Sequence, residues 1–365
     1  MATYKRQRYL FMTLDPVHIG TGGYRLGRVD NSIVREPGTK IPKIPGTSLH
    51  GAARSYAAQL YETPEAAGQS HDKIDNPDQN PVCYTFGYIK KSKNENDTDK
   101  ATIYSGVVNI FDAHVLLFPV HSMVGAVWVS TVERLEEAGF TGLPDDWDDV
   151  STAVLTWDKP DKRLNLGWLM VNVADQKVEV KAPSEWQSGD RQKALDQAIN
   201  KIVLVKDALF SQIVNSNLEV RTSVAINPDT GAAEDGALFT YEAIPRATFL
   251  TADVVLDDYR SDKNGWSFGE IKETGKKKED DTRNPLPGDS WKCPLCVVKA
   301  GLRLIEWLGV GGMGTRGFGR MAIVGEPTEV DLKQDWELKH QQQQSSETSS
   351  KPDKLAAIAP TENNP

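Results

Sequence analysis

At 365 residues the chain has room for one large domain with insertions or for two domains, and 39% hydrophobic with 25% charged residues is near the globular norm, so a real core can form. No stretch reaches the roughly 18 apolar residues of a membrane-spanning helix, Met1–Leu14 lacks a signal-peptide core, and three cysteines do not make a secreted disulfide scaffold, so a cytoplasmic protein is expected. The formal net charge of −9 counts against a nucleic-acid binder as a whole. The sign is uneven, however: 24–55 carries Arg25, Arg28, Arg35, Lys40, Lys43 and Arg54 against only Asp30 and Glu36.

Residues 4–19 read as a strand that Gly20–Gly23 breaks, and 24–46 as a long ordered loop. Thr47 or Ser48 is a candidate N-cap for a helix running through Leu49, Ala53, Tyr56 and Leu60. Residues 62–100 read as an insertion with an apolar island at Cys83–Ile89, Ser105–Phe118 as a strand and Met123–Ala138 as a helix. The span 140–200, with Trp147, Trp157, Trp168 and Trp186 among polar residues, yields no clear order of elements. Ala225–Phe239 reads as a hairpin around Asn-Pro-Asp-Thr-Gly, Thr248–Leu256 as a strand, 259–289 as a charged insertion, Cys296–Leu308 as an amphipathic helix and Met321–Val324 as a strand. From 337 to 365 the tail is polar and expected to be disordered. The order is that of an α+β fold, compatible with a ferredoxin-like sheet backed by two helices.

Two loops carry the chemistry. Gly309–Gly319 holds six glycines in eleven positions, and Arg316 and Arg320 lie within and just beyond it. Such a loop lets backbone N–H groups approach a phosphate, and it equally serves as a tight helix-to-strand turn. It is neither a Walker loop nor a Rossmann fingerprint. The second loop runs from Gly27 to Pro37 and leads to Ile44–Arg54. A carboxylate there, Asp30, can orient a ribose 2′-hydroxyl or hold a divalent ion, or it can simply pair with Arg28 or Arg35. Ser48 marks a helix N-terminus that can bind phosphate or merely be capped. Cys293-Pro-Leu-Cys296 has the spacing of half a zinc site, which Cys83 and His71 complete only if the fold brings them close; small apolar side chains at the start of a buried helix are the simpler account.

His18-Ile-Gly-Thr-Gly22, Val29-Asp30, Arg35-Glu36-Pro37 and Ile44-Pro-Gly-Thr-Ser48-Leu-x-Gly51-x-x-Arg54 together resemble the N-terminal signature of the RAMP superfamily, the RNA-binding subunits of CRISPR systems. Gly311-Gly312-x-Gly314-x-x-Gly317-x-Gly319 resembles its C-terminal glycine-rich loop. Leu116–Gly125 and Glu234–Pro245 resemble the Cmr-type backbone subunit, while Met313 and Thr315-Arg316 are closer to the Csm-like version. The resemblance implies a ferredoxin-like (RRM-like) palm over 1–330 with insertions at about 62–100, 140–200 and 259–289. It implies a β-hairpin thumb at about 221–245 carrying Ala225 and Phe239, and copies stacked along CRISPR RNA beside other subunits of a type III effector complex.

It further implies that target RNA is cut at regular intervals beside the aspartate matching Asp30, by a divalent-metal-dependent reaction with Mg2+ or Mn2+ resembling transesterification. The expected RNA-binding residues are Arg28, Arg35, Ser48, His50, Arg54, Gly312, Gly314, Arg316, Gly317 and Arg320. His50 stands where the family usually has a lysine, which removes a permanent charge toward phosphate. Two other readings stay open: the same scaffold with Asp30 structural, and a small-molecule enzyme that holds a nucleotide in a pocket beside Gly312.

Overall fold

The computed structural model describes residues 3–22, 29–68, 73–74, 77, 80–91, 101–145, 147–158, 162–189, 191–260 and 292–338. The chain opens with β1 (Thr3–Thr13), β2 (Lys43–Ile44), α1 (Gly46–Leu60), α2 (Pro81–Phe86), β3 (Gly87–Lys91), β4 (Ala101–Ser105), β5 (Val108–Ile110), β6 (Ala113–Ser122), β7 (Gly125–Ser130) and α3 (Val132–Glu137). The middle adds β8 (Thr152–Leu155), β9 (Arg163–Leu166), β10 (Leu169–Lys177), α4 (Gln192–Ile199), β11 (Ile202–Leu204) and α5 (Asp207–Ser216). Then come β12 (Glu219–Ile226), β13 (Ala233–Ala243), β14 (Phe249–Asp258), α6 (Pro294–Arg303), α7 (Ile305–Leu308), β15 (Met321–Ile323) and β16 (Thr328–Asp331).

A 12-stranded mixed sheet organises the molecule, in the order β15-β1-β14-β6-β7-β11-β8-β10-β9, with β16, β2 and β5 on flanking edges. Its centre is the antiparallel pair β1–β14, in register from Thr3 opposite Asp258 to Met12 opposite Phe249. Alternation along β1 sends Tyr9 and Phe11 into one core and Leu10 and Met12 into another, so both faces are covered. The first face takes α1 and α6. Gly301 makes that packing possible, because a Cβ there would lie 2.1 Å from the Ala53 carbonyl oxygen. Gly301→Ala is expected to push the helices apart and destabilise the protein by about 1–3 kcal/mol, read as a lower thermal midpoint.

Several elements differ from expectation. The predicted helix over Met123–Ala138 is instead β7 followed by the short α3, because Val127 and Val129 alternate into the core opposite β6. Residues 140–200 are not appended to the fold: β8, β9 and β10 extend the sheet through β11, and Trp186 is fully buried while Trp168 stands 94% exposed. All of α2 is buried, a larger role than an apolar island. The first residues of the expected tail, Glu337 and Leu338, end a helical turn over 332–338; residues 339–365, like His71 and most of 259–289, lie outside the described residues.

The cysteines also need correction. Cys293 and Cys296 form a disulfide at the start of α6, where the Cys293 sulfur also accepts the Cys296 N–H. Cys83 is buried and burial pushes its thiol up to about 12. A disulfide offers no thiolates, so Cys293 and Cys296 in this state are not the half zinc site their spacing suggested. Among the described residues no three His, Cys, Asp or Glu side chains gather to hold a metal, and no helix is long and apolar enough to cross a membrane.

Candidate nucleic-acid interface

The two glycine-bearing connections meet at one end of the sheet. Beyond β1 the chain crosses that end, and the glycine loop returning from α7 lies directly on it. Gly312 N–H donates to the His18 carbonyl at 2.9 Å and Gly319 N–H to the Pro16 carbonyl at 2.9 Å. A Cβ at Gly311, whose φ is +86°, would sit 2.6 Å from that His18 oxygen, so this glycine is required by packing. Gly312, Gly314 and Gly317 are exposed, and nothing lies within 4 Å of a Cβ built on Gly314 or Gly317. The loop is therefore tight at its roots and open at its apex.

The hairpin β12–β13 rises from the same end, and its foot holds the Asp30 loop. Asn31 N–H donates to the Thr240 carbonyl at 3.0 Å and Glu242 N–H to the Asn31 carbonyl at 3.0 Å, a short parallel bridge. Asp30 is fixed by Thr240: its Oδ2 accepts the Thr240 N–H at 2.8 Å and the Thr240 hydroxyl at 3.0 Å. Those bonds from Thr240 hold the Asp30 carboxyl below the usual carboxylate range although it is exposed. Oδ1 makes no hydrogen bond to another described residue. An anion so positioned accepts a hydroxyl or anchors a cation better than it removes a proton, because its basicity is reduced.

Aromatic rings link the hairpin to the glycine loop. Tyr241 meets Phe239, Phe318 and His18 edge-on at 5.3, 6.2 and 6.2 Å between centroids. Arg316 donates to the Tyr241 hydroxyl at 2.8 Å and lies 5.8 Å from the Phe239 centroid; Arg221 lies 4.8 Å over Phe318. Asp30, Arg316 and Phe239 are thus brought to one place. Thr240, Tyr241, Phe318 and Arg221 join them unforeseen: Thr240 is 210 residues from Asp30, and only its place in the Glu234–Pro245 stretch hinted at it.

Other expected RNA contacts have different work. Arg35 pairs with buried Glu242 at 2.6 Å and donates to Asn215 at 2.8 Å, so it fastens the Asp30 loop instead of facing phosphate or pairing with Asp30. Arg54 is half-buried and donates to the Ala66 and Gly87 carbonyls at 2.8 and 3.0 Å. His50 packs edge-on against Phe86, and burial followed by the nearby Arg54 charge lowers its pKa, favouring the neutral ring. α1 begins at Gly46 with Pro45 as its cap, not at Ser48, and the Asp112 carboxylate accepts the Gly46 N–H at 2.7 Å. That carboxylate occupies the place a phosphate would take, so Ser48 does not mark an open anion site. Arg320 is exposed but paired with Asp15. Ala225 is exposed at the bulge in β12. Arg28 lies outside the described residues.

A sequence model of the RAMP superfamily matches residues 10–322, from within β1 to within β15. The chain belongs to this superfamily. One RAMP relative, the CRISPR system Cmr endoribonuclease Cmr4 of Pyrococcus furiosus, is 25% identical over 264 residues, covering 69% of this chain and 82% of its own length. Two solved structures share the fold: Type III-B Cmr-beta bound to cognate target RNA, with a TM-score of 0.52 and 14% identity over 87% of this chain and 96% of the other, and the same assembly in its apo state, with 0.53 and 15% over 89% and 97%. The large mixed α/β sheet is common to them. Gly312 lines neither the cavity of about 740 Å³ beside His114 nor the cleft of about 400 Å³ beside Trp307.

Proposed function

We infer that this chain is a repeating backbone subunit of a type III CRISPR interference complex in the cytoplasm, which binds CRISPR RNA along its phosphates and cuts the paired target RNA beside Asp30. Family membership supports the assembly, and the relative named an endoribonuclease supports the activity. The observation that carries the site is the exposed Asp30 carboxylate clamped by Thr240 at the foot of the hairpin. In this reading β1, β14, β6 and the helices α1 and α6 are the ferredoxin-like palm, and β12–β13 is the thumb that displaces a nucleotide. Further copies stack so that one Asp30 meets the target at each step.

In the cutting step the target ribose 2′-oxygen attacks the adjacent phosphorus as its proton passes to water. The bond to the 5′-oxygen breaks and that oxygen takes up a proton from water, leaving a cyclic phosphate and a 5′-hydroxyl. Asp30 accepts and orients the 2′-hydroxyl through Oδ1, and Arg316 faces phosphate from the glycine loop. Among the described residues no three ligating side chains gather at Asp30, so a Mg2+ or Mn2+ would be held by Asp30 together with RNA oxygens and water and would stabilise charge on the phosphate. Chelating divalent ions is then expected to stop cutting while leaving RNA bound. Because contacts run to phosphate and ribose, affinity measured across a salt series should fall steeply with ionic strength and barely change with spacer sequence. A strong preference for one spacer contradicts this reading.

A further inference from the structure

A second polar cleft, of about 400 Å³, opens at the same end of the sheet on the far flank of the segment that follows β1. It is continuous with the glycine loop, since Arg320 in its wall follows Gly319 directly, and the Arg320 carbonyl accepts the Leu14 N–H at 2.8 Å. Three guanidinium groups face it. Arg191 is paired with Glu306 and Arg320 with Asp15, but Arg246 is exposed and has no hydrogen bond or ion pair with a described residue.

Arg246 is mounted rigidly. Its turn is tied to the end of β1 through Ala247 N–H to the Thr13 carbonyl and Thr248 N–H to the Thr13 hydroxyl, both at 2.9 Å, and the Trp128 indole donates to the Ala247 carbonyl at 2.8 Å. Opposite stands Trp307, 70% exposed, on a helix whose Ile305 is fully buried. The cleft thus brings a largely exposed indole and a guanidinium without an ion pair to a described residue into one lining. The combination matches a nucleotide: a flat ring for stacking and a cation for phosphate.

We propose that this cleft takes one unpaired nucleotide of the bound RNA, with its base on the Trp307 indole and its phosphate on Arg246. The proposal rests on the RNA-binding reading and extends it to a sequence-tolerant stacking subsite apart from Asp30. Every base has a ring face, so the cleft accepts any sequence. An acidic peptide would use the guanidinium but leave the indole without a role.

The test uses the full chain and single-stranded RNA carrying 5-iodouridine. Irradiation is expected to crosslink RNA to Trp307, located by mass spectrometry. Trp307→Ala and Arg246→Ala are each expected to weaken RNA affinity on the order of tenfold, Trp307→Phe to retain most of it, and Arg246→Ala to reduce the logarithmic salt slope by about one. If these variants bind RNA normally and no crosslink forms at Trp307 while Arg316→Ala weakens binding, the subsite is wrong and the RNA-binding reading stands. If Arg316→Ala is also without effect, the RNA-binding reading itself falls. If Trp307→Ala spares RNA affinity but separates copies of the chain, the cleft holds protein and the proposal is overturned.

Discussion

Asp30→Ala in the assembled complex is expected to bind guide and target RNA as the unaltered protein does and to cut target about a hundredfold more slowly or worse, the scale of a reacting group left misplaced. The side chain is exposed and buries nothing, so folding should be intact. Asp30→Asn keeps the shape and the bonds from Thr240 but removes the charge, and should be nearly as slow. Thr240→Val removes the hydroxyl and leaves the backbone N–H, so its loss should be smaller. The sign of the pH dependence follows from the bonds donated by Thr240, which lower the Asp30 pKa. The group is therefore still mostly ionised at the usual aspartate value of about 3.9, so any loss of rate at mildly acid pH comes from another group. Undiminished cutting by Asp30→Ala would leave the chain a scaffold and Asp30 a structural acid.

Glu242→Ala should be the most damaging change to stability near the site, at about 3 kcal/mol. It leaves the largely buried Arg35 guanidinium without its anion and removes an acceptor for the Ile33 N–H. Glu242→Gln keeps hydrogen-bond acceptors and should cost less. Urea unfolding of the two variants measures the difference; a loss below about 0.5 kcal/mol for the alanine variant would mean that the pair behaves as a screened surface bridge. Cutting should fall in both, because Arg35 and Glu242 join the Asp30 loop to β13.

How much of this could be read beforehand depended on whether a feature was local. β1, β6, β14 and the hairpin carry their alternation and turn residues in contiguous sequence, and the glycine loop identifies itself by composition. The stretch 140–200 did not resolve because β8 and β9 are only four residues each and β8 is held between β10 and β11, a parallel and an antiparallel neighbour that no hairpin turn announces. The partners of two arginines were hidden for a related reason. Residue type gives Arg35 and Arg54 a positive charge, but only the folded chain shows one facing Glu242 and the other facing carbonyl oxygens. Asp30 was singled out by its motif, while the Thr240 bonds that hold it depend on a contact across most of the chain.

Among the described residues the strands of the hairpin β12–β13 pair only with each other, and residues 224–234, Asn227 aside, are solvent-exposed. Its foot, by contrast, is fastened to the Asp30 loop at Asn31 and Thr240. Mechanically this is a cantilever whose fixed end includes the Asp30 carboxylate. Under the proposed function, a load placed on the free end, by a nucleotide wedged aside or by an adjoining molecule, is felt as torque at Thr240, so engagement of the polymer and alignment of the acid would be one motion.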